Sequence, residues 1–140
     1  MATRHASAQW KGTLKEGKGK MKYGHYEGNY SFASRFENGE GTNPEELVGA
    51  AIAGCYSMFL AALLSGEKLN PESVDVTATI QLDSDNTGPI ITSIHLDCKA
   101  RVANISEVDF MKQALKAKEN CPISRLYKGT AISLDAKLVH

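Results

Sequence analysis

The sequence predicts an α+β domain, and three observations carry that expectation. Residues 74–83, 94–102 and 130–139 alternate apolar and polar with a period of two, as half-buried strands do. Residues 44–65 form an apolar run too long for a strand, and 106–119 carry a second helical pattern. The order of strands, helix, strands, helix and strand is that of an α+β fold.

Taken in order, residues 7–13 and 29–36 read as strands, joined by a turn region rich in Gly and Lys around 15–28. The lysines there (Lys15, Lys18, Lys20, Lys22) read as a solvated hairpin, because a phosphate-binding loop would lead into a helix and none follows. The loop Gly39-Glu40-Gly41-Thr42-Asn43-Pro44 ends in a helix start. Thr42 and Glu45 have capping-box spacing, and Asn43-Pro44 offers an alternative N-cap with proline in the first turn. That helix runs to about Ser65, with Gly66 as its stop. Val74, Val76, Ala78, Ile80 and Leu82 share one face of the next strand. Asp85 to Pro89 turns the chain, and Ile94, Leu96, Cys98, Ala100 and Val102 point inward from its neighbour. Antiparallel pairing is expected. Ser106 and Asp109 open the second helix, a short helical turn follows Pro122, and a last strand spans 130–139.

At 140 residues the chain is expected to be one domain, 1–140, able to bury about 68–70% of its unfolded surface without a disulfide. Sixteen basic residues balance sixteen acidic ones, so no net field draws it to nucleic acid or membrane. The uncharged stretch Leu47–Leu64 reaches the lower limit for a spanning helix. It is rich in Ala, Gly and Ser, starts on two glutamates and lacks flanking basic or aromatic belts, so a central core helix is the better reading. The N-terminus has no apolar signal core, and three cysteines suit a reducing cytoplasm.

The cysteines carry the chemistry. Cys98 lies on the apolar face of a strand, where a small hydrophobe is expected. Cys55 lies in the apolar helix beside Gly54 and Ser57, which keep the flanking surface small. A buried thiol needs a positive partner to become a thiolate, and Arg35, between Phe32 and Phe36, is a candidate. Its bland alternative is a surface arginine at a strand end. Cys121 precedes a proline, a natural N-cap position that favours thiolate. Glu45 is explained by helix capping alone, and Glu46 is an equal alternative. The four histidines are scattered, no Cys/His spacing suits zinc, and neither a nucleotide fingerprint nor a serine-hydrolase elbow is present, so no metal or cofactor is expected.

The stretch from Arg35-Phe36 through Thr42-Asn43-Pro44-Glu45-Glu46-Leu47, then Ala-Gly-Cys55-Tyr-Ser-Met and finally Cys121-Pro122-Ile123-Ser124, closely resembles the osmotically inducible protein C (OsmC) family. The related organic hydroperoxide resistance (Ohr) branch carries its arginine nearer the N-terminus, so Arg35-Phe36 just before the Thr-Asn-Pro loop resembles the OsmC branch. The resemblance implies an OsmC/Ohr-like fold, with long central helices enclosed by antiparallel sheets in an intertwined homodimer. It implies a thiol peroxidase for organic hydroperoxides, with Cys55 peroxidatic, Cys121 resolving, Arg35 and Glu45 activating, no bound cofactor, and a lipoyl-type dithiol as reductant. Competing readings are a non-catalytic stress-related binding or structural module with core cysteines, and a disulfide oxidoreductase, which would favour a Cys-x-x-Cys pair absent here.

Two expectations concern geometry. Phe32, Phe36, Tyr56, Met58 and Phe59 are the available apolar lining for a bulky substrate. Glu45 and Cys55 lie ten residues apart, about 15 Å along one helix, whereas an ion pair acts on a thiolate within about 4–6 Å. An antiparallel copy of the helix, packed through Gly49, Ala50, Ala53 and Gly54, would bring the Glu45 end of one subunit to Cys55 of the other.

Overall fold

Lysines alternating with smaller or apolar residues build the middle of the first sheet. In the computed structural model, which describes Met1–His140, the elements group into two units, Met1–Leu47 and Val48–His140. The first holds an antiparallel sheet of β1 (Ala6–Lys11), β2 (Lys18–Tyr23) and β3 (Tyr26–Tyr30), in that order. Strand β2 lies inside the stretch expected to be a turn region. Lys18, Lys20 and Lys22 are exposed on one face while Gly19, Met21 and Tyr23 are half-buried on the other, a period of two built from weak strand formers. Gly19 is needed for contact: a Cβ there would fall 2.5 Å from the Tyr30 ring and 2.6 Å from the Trp10 ring.

The expected strand over 29–36 is corrected. Strand β3 ends at Tyr30, and Phe32–Phe36 is a short helix, α1. Ser31 caps it: the Ser34 N–H donates to Ser31 Oγ at 3.1 Å and the Ser31 N–H donates to Ser34 Oγ at 2.8 Å. This reciprocal cap fixes the first turn and overrides the apparent alternation of Phe32, Ser34 and Phe36. Arg35 therefore leaves from a helix, not from a strand end.

The long helix α2 spans Pro44–Gly66. Of the two caps the sequence offered, Asn43 is used: its Oδ1 accepts the Glu46 N–H at 2.8 Å, while Thr42 Oγ1 donates to the Glu46 carboxylate at 3.1 Å. Within Val48–His140, Ile52, Tyr56, Leu60 and Leu64 form a fully buried stripe at four-residue spacing. They join the core made by Ile94, Leu96, Cys98 and Ala100 of β5 and by Phe110, Ala114 and Ala117 of α3. Strands β4 (Ser73–Asp85) and β5 (Gly88–Arg101) pair antiparallel, their turn held by the Thr87 and Gly88 N–H groups donating to the Asp85 carboxylate. Helices α3 (Glu107–Asn120) and α4 (Pro122–Leu126) then carry the chain to β6 (Ala131–Val139).

Strand β6 departs from the antiparallel expectation, because it pairs parallel to β5. A parallel neighbour requires a crossover of a dozen or more residues, and α3 with α4 supply it. The helix seam is also corrected. Gly49 is buried against the chain's own sheet, with a Cβ position 3.3 Å from Ile80 Cγ1, so it is unavailable to a second helix. Ala50, Ala51, Gly54, Met58 and Ala62 are exposed, leaving α2 with a second apolar face uncovered in one chain.

Leu60→Ala should destabilise the protein by about 2–5 kcal/mol, by lost burial and a cavity at the centre of the stripe. Urea unfolding of both proteins measures it, and an unchanged midpoint would contradict the packing described.

Candidate active site

Cys121 stands where two helices meet. Its N–H donates to the Ala117 carbonyl at 3.1 Å, closing α3, and its Sγ accepts the Ser124 N–H at 3.4 Å, opening α4. Pro122 fills the first helical position, where no N–H is needed. The next N–H, from Ile123, donates to Cys55 Sγ at 3.4 Å. One turn of chain therefore holds both sulfurs. Both thiols are free, Cys121 fully buried and Cys55 partly accessible on α2.

Burial pushes the Cys55 thiol up. The Ile123 N–H opposes this, and the neighbouring Cys121 thiol adds to it. Nothing cationic from Val48–His140 is among the groups acting on it, so that unit alone favours the protonated thiol. Cys98 matches the core expectation: burial pushes its thiol up to about 11, opposed by a hydrogen bond with Tyr56 and reinforced by the Asp75 charge.

Arg35 and Glu45 meet in Met1–Leu47. Arg35 Nη2 donates to Glu45 Oε1 at 2.7 Å, and its Nε lies 3.2 Å from both carboxylate oxygens. The guanidinium also sits 5.2 Å from the Phe36 ring centroid. Glu46 is engaged in capping instead, which separates two glutamates that sequence left equivalent. Ser34 is buried and ties this corner together, its hydroxyl donating to the Thr42 carbonyl at 2.7 Å and its carbonyl accepting from Asn43 Nδ2 at 3.0 Å.

Beside the ion pair lies a groove of about 390 Å³ lined by Trp10, Leu14, Tyr30, Phe32, Arg35 and Phe36, among others. Phe32 and Phe36 were expected there. Trp10, Leu14 and Tyr30 were missed, although the aromatic pair Trp10–Tyr30 across Gly19 was the available signal. Tyr56 is corrected: it is fully buried and its hydroxyl donates to the Ala114 carbonyl at 3.2 Å, so it belongs to the core and not to a substrate lining. Phe59 packs partly buried against the same core, and Met58 is 77% exposed.

Donor atoms suited to a cation come together once, at His95, Asp97 and Asp135 on the polar face of β5 and β6. Asp97 and Asp135 are exposed and reach His95 Nε2 at 3.5 and 3.1 Å, while its Nδ1 is bonded to Ser133 Oγ. These contacts make an exposed hydrogen-bonded cluster on the sheet surface.

A family profile described as OsmC-like protein matches residues 37–136. The chain is 41% identical over 134 residues to the Peroxiredoxin OsmC of Escherichia coli, covering 94% of this chain and 93% of that one. It is 31% identical over 93 residues to an Organic hydroperoxide resistance protein-like 2 of Staphylococcus epidermidis, covering 66% and 65%. Among solved structures, an OsmC-like protein from Mycoplasma pneumoniae superposes with a TM-score of 0.79 at 15% identity, covering 99% of each chain. An organic hydroperoxide resistance protein from Legionella pneumophila gives 0.71 at 20% identity over the whole of both. At these identities the structures speak for the fold.

The raised Cys98 thiol has a testable consequence. When unfolded, the same thiol ionises near its ordinary value of about 8.5. Between that pH and about 11 the unfolded chain binds fewer protons than the folded one, so stability falls as pH rises. Cys98→Ala should flatten that part of the curve; identical urea midpoints against pH for both proteins would refute this.

Proposed function

The chain belongs to the OsmC-like family, and from that premise we propose that it reduces organic hydroperoxides to alcohols as a thiol-dependent peroxidase. The observation that supports this most directly is the pairing of Cys55 and Cys121 at one turn, with Ile123 donating to the first sulfur and Ser124 to the second. The names of its relatives, a peroxiredoxin and hydroperoxide resistance proteins, support the same chemistry.

Cys55 is the peroxidatic residue. Its thiolate attacks the distal oxygen of the hydroperoxide, the O–O bond breaks, and the departing alkoxide takes a proton to leave as alcohol. Cys55 is left as a sulfenic acid. The Cys121 sulfur then attacks the Cys55 sulfur, the S–O bond breaks, and hydroxide leaves as water with the Cys121 proton. An external dithiol reduces the resulting disulfide by exchange. A lipoyl-type dithiol is the reductant we favour. Because Cys121 is fully buried and Cys55 is not, the reductant attacks the Cys55 sulfur and expels Cys121.

The site is completed by a second copy. The exposed apolar face of α2 supports a homodimer in which two such helices pack antiparallel. With Gly49 committed to its own sheet, the seam is Ala50, Ala51, Gly54 and their neighbours. In this arrangement the Arg35–Glu45 pair of one subunit reaches Cys55 of the other. Glu45 orients the guanidinium by its bidentate contact, and the guanidinium favours the thiolate that burial opposes. The groove of Trp10, Leu14, Tyr30, Phe32 and Phe36 receives the organic part of the substrate. The whole chain acts as one OsmC-like domain, and the apolar length of α2 serves this dimer core in a soluble, cytoplasmic protein.

Cys55→Ser should abolish turnover, and Cys121→Ser should leave a sulfenic acid that dimedone traps. Equal peroxide consumption by wild type and Cys55→Ser would end the peroxidase reading. A structural module with core cysteines instead predicts no loss of free thiols after one equivalent of cumene hydroperoxide. Catalytic efficiency should be higher with cumene hydroperoxide than with hydrogen peroxide, and the reverse order would count against the apolar groove.

The shared site is tested by mixing Cys55→Ser with Arg35→Ala subunits, with heterodimers confirmed by mass. Complementation should rebuild one intact site per heterodimer. If Arg35 acts on its own subunit's cysteine, no activity returns.

A further inference from the structure

Ser124 sits third in α4, buried to 5% exposure, and both of its donors face one atom. Its N–H lies 3.4 Å and its Oγ 3.0 Å from Cys121 Sγ. A side chain at this position ordinarily reaches back to the N–H of the capping residue. Here that N–H is already spent on the Ala117 carbonyl. The hydroxyl is therefore not needed to cap the backbone, and the sulfur is the partner it has. No buried side-chain oxygen or nitrogen in the chain is left without a partner, so this contact is also what satisfies Ser124.

We propose that Ser124 is a positioning residue for disulfide formation, holding the Cys121 sulfur toward Cys55 and stabilising the negative charge it carries as it attacks. This inference rests on the peroxidase reading. With Cys121 as a thiol, either group can donate. Once the sulfur has lost its proton only the hydroxyl can, so the contact survives ionisation by turning the O–H toward sulfur. Charge-assisted hydrogen bonds are the stronger kind, which makes the contact worth more at the moment of attack than before it. The step itself is balanced without Ser124. The Cys55 S–O bond breaks, the S–S bond forms, Cys121 sulfur is oxidised as Cys55 sulfur is reduced, and water leaves with the Cys121 proton. Ser124 gives up no atom. When an external dithiol later attacks Cys55, the sulfur expelled is again that of Cys121, and the same hydroxyl receives it.

The first chemical step makes no demand on this hydroxyl, because the group that donates to Cys55 is the Ile123 N–H. Ser124→Ala should therefore split the two steps. In rapid mixing with one equivalent of cumene hydroperoxide, peroxide loss should stay within about twofold of wild type. Disulfide formation, followed by quenching and intact mass, should slow about tenfold, the effect of one hydrogen bond. Dimedone-trapped sulfenic acid should rise, and excess peroxide should drive more Cys55 to sulfinic acid. Ser124→Thr, which keeps the hydroxyl, should restore most of the disulfide rate. Disulfide formation as fast in Ser124→Ala as in wild type would overturn the proposal. So would an equal slowing of both steps, or a failure of Ser124→Thr to recover a rate that Ser124→Ala loses. Wild-type protein that consumes peroxide without forming the Cys55–Cys121 disulfide would instead overturn the resolving role on which the proposal rests.

Discussion

Cys121 closes one helix with its backbone and opens the next with its side chain, and the geometry of the thiol pair follows from that double use. The last turn of α3 fixes where the residue sits, through its N–H on Ala117. The first turn of α4 fixes where its sulfur points, through the Ser124 N–H. Proline at the next position removes the one N–H that would have had no partner, and the following N–H then falls on Cys55. A serine or aspartate would cap α4 at least as well. In the peroxidase we propose, neither could resolve a sulfenic acid, so cysteine here would trade capping strength for chemistry. The same α3–α4 segment is the crossover that lets β6 lie parallel to β5. The placement of the two thiols and the sheet topology thus depend on one connection.

Burial sets the two remaining thiols apart by what surrounds them. Cys98 is enclosed by the core and lies within the field of Asp75, and together these outweigh its hydrogen bond with Tyr56 and leave it a protonated hydrophobe. Cys55 shares the desolvation but retains access to solvent and a backbone donor aimed at its sulfur. Desolvation alone would make it inert. What separates the two cysteines is therefore which donors and charges reach the sulfur, and only a folded chain defines those.

Much of this was legible in the sequence. Strong period-two patterns gave β4, β5 and β6, and Ser106, Asn43-Pro44 and Cys121-Pro122 marked helix starts at the residues that cap them. What failed was local competition. In residues 29–36 an alternating pattern concealed a Ser31–Ser34 cap, which fixes a helical turn more strongly than alternation fixes a lone strand. In β2, lysine and glycine disguised a central strand whose contribution is a flat glycine face between two aromatic rings. The direction of β6 was not readable at all, because period two is the same for either pairing. Tyr56 shows the limit for the site: in a helix apolar on every side, sequence does not say which residues face the chain's own sheet.

The uncovered face of α2 ties these points together. A 23-residue helix whose apolar residues run around its whole circumference satisfies only one stripe within its own chain. Its other face holds Ala, Gly and Met, residues whose exposure costs little each but sums over several turns. Small side chains let two helix backbones approach closely, and a two-fold axis would cover the same patch on both copies at once. Glu45 stands in the first turn of this helix and Cys55 near its middle, and in the proposed dimer antiparallel packing would bring such unlike parts of two helices together. In the homodimer we propose, one antiparallel seam would both hide this apolar surface and bring Arg35 to Cys55, which would account for a cysteine in the middle of the most apolar segment of the chain.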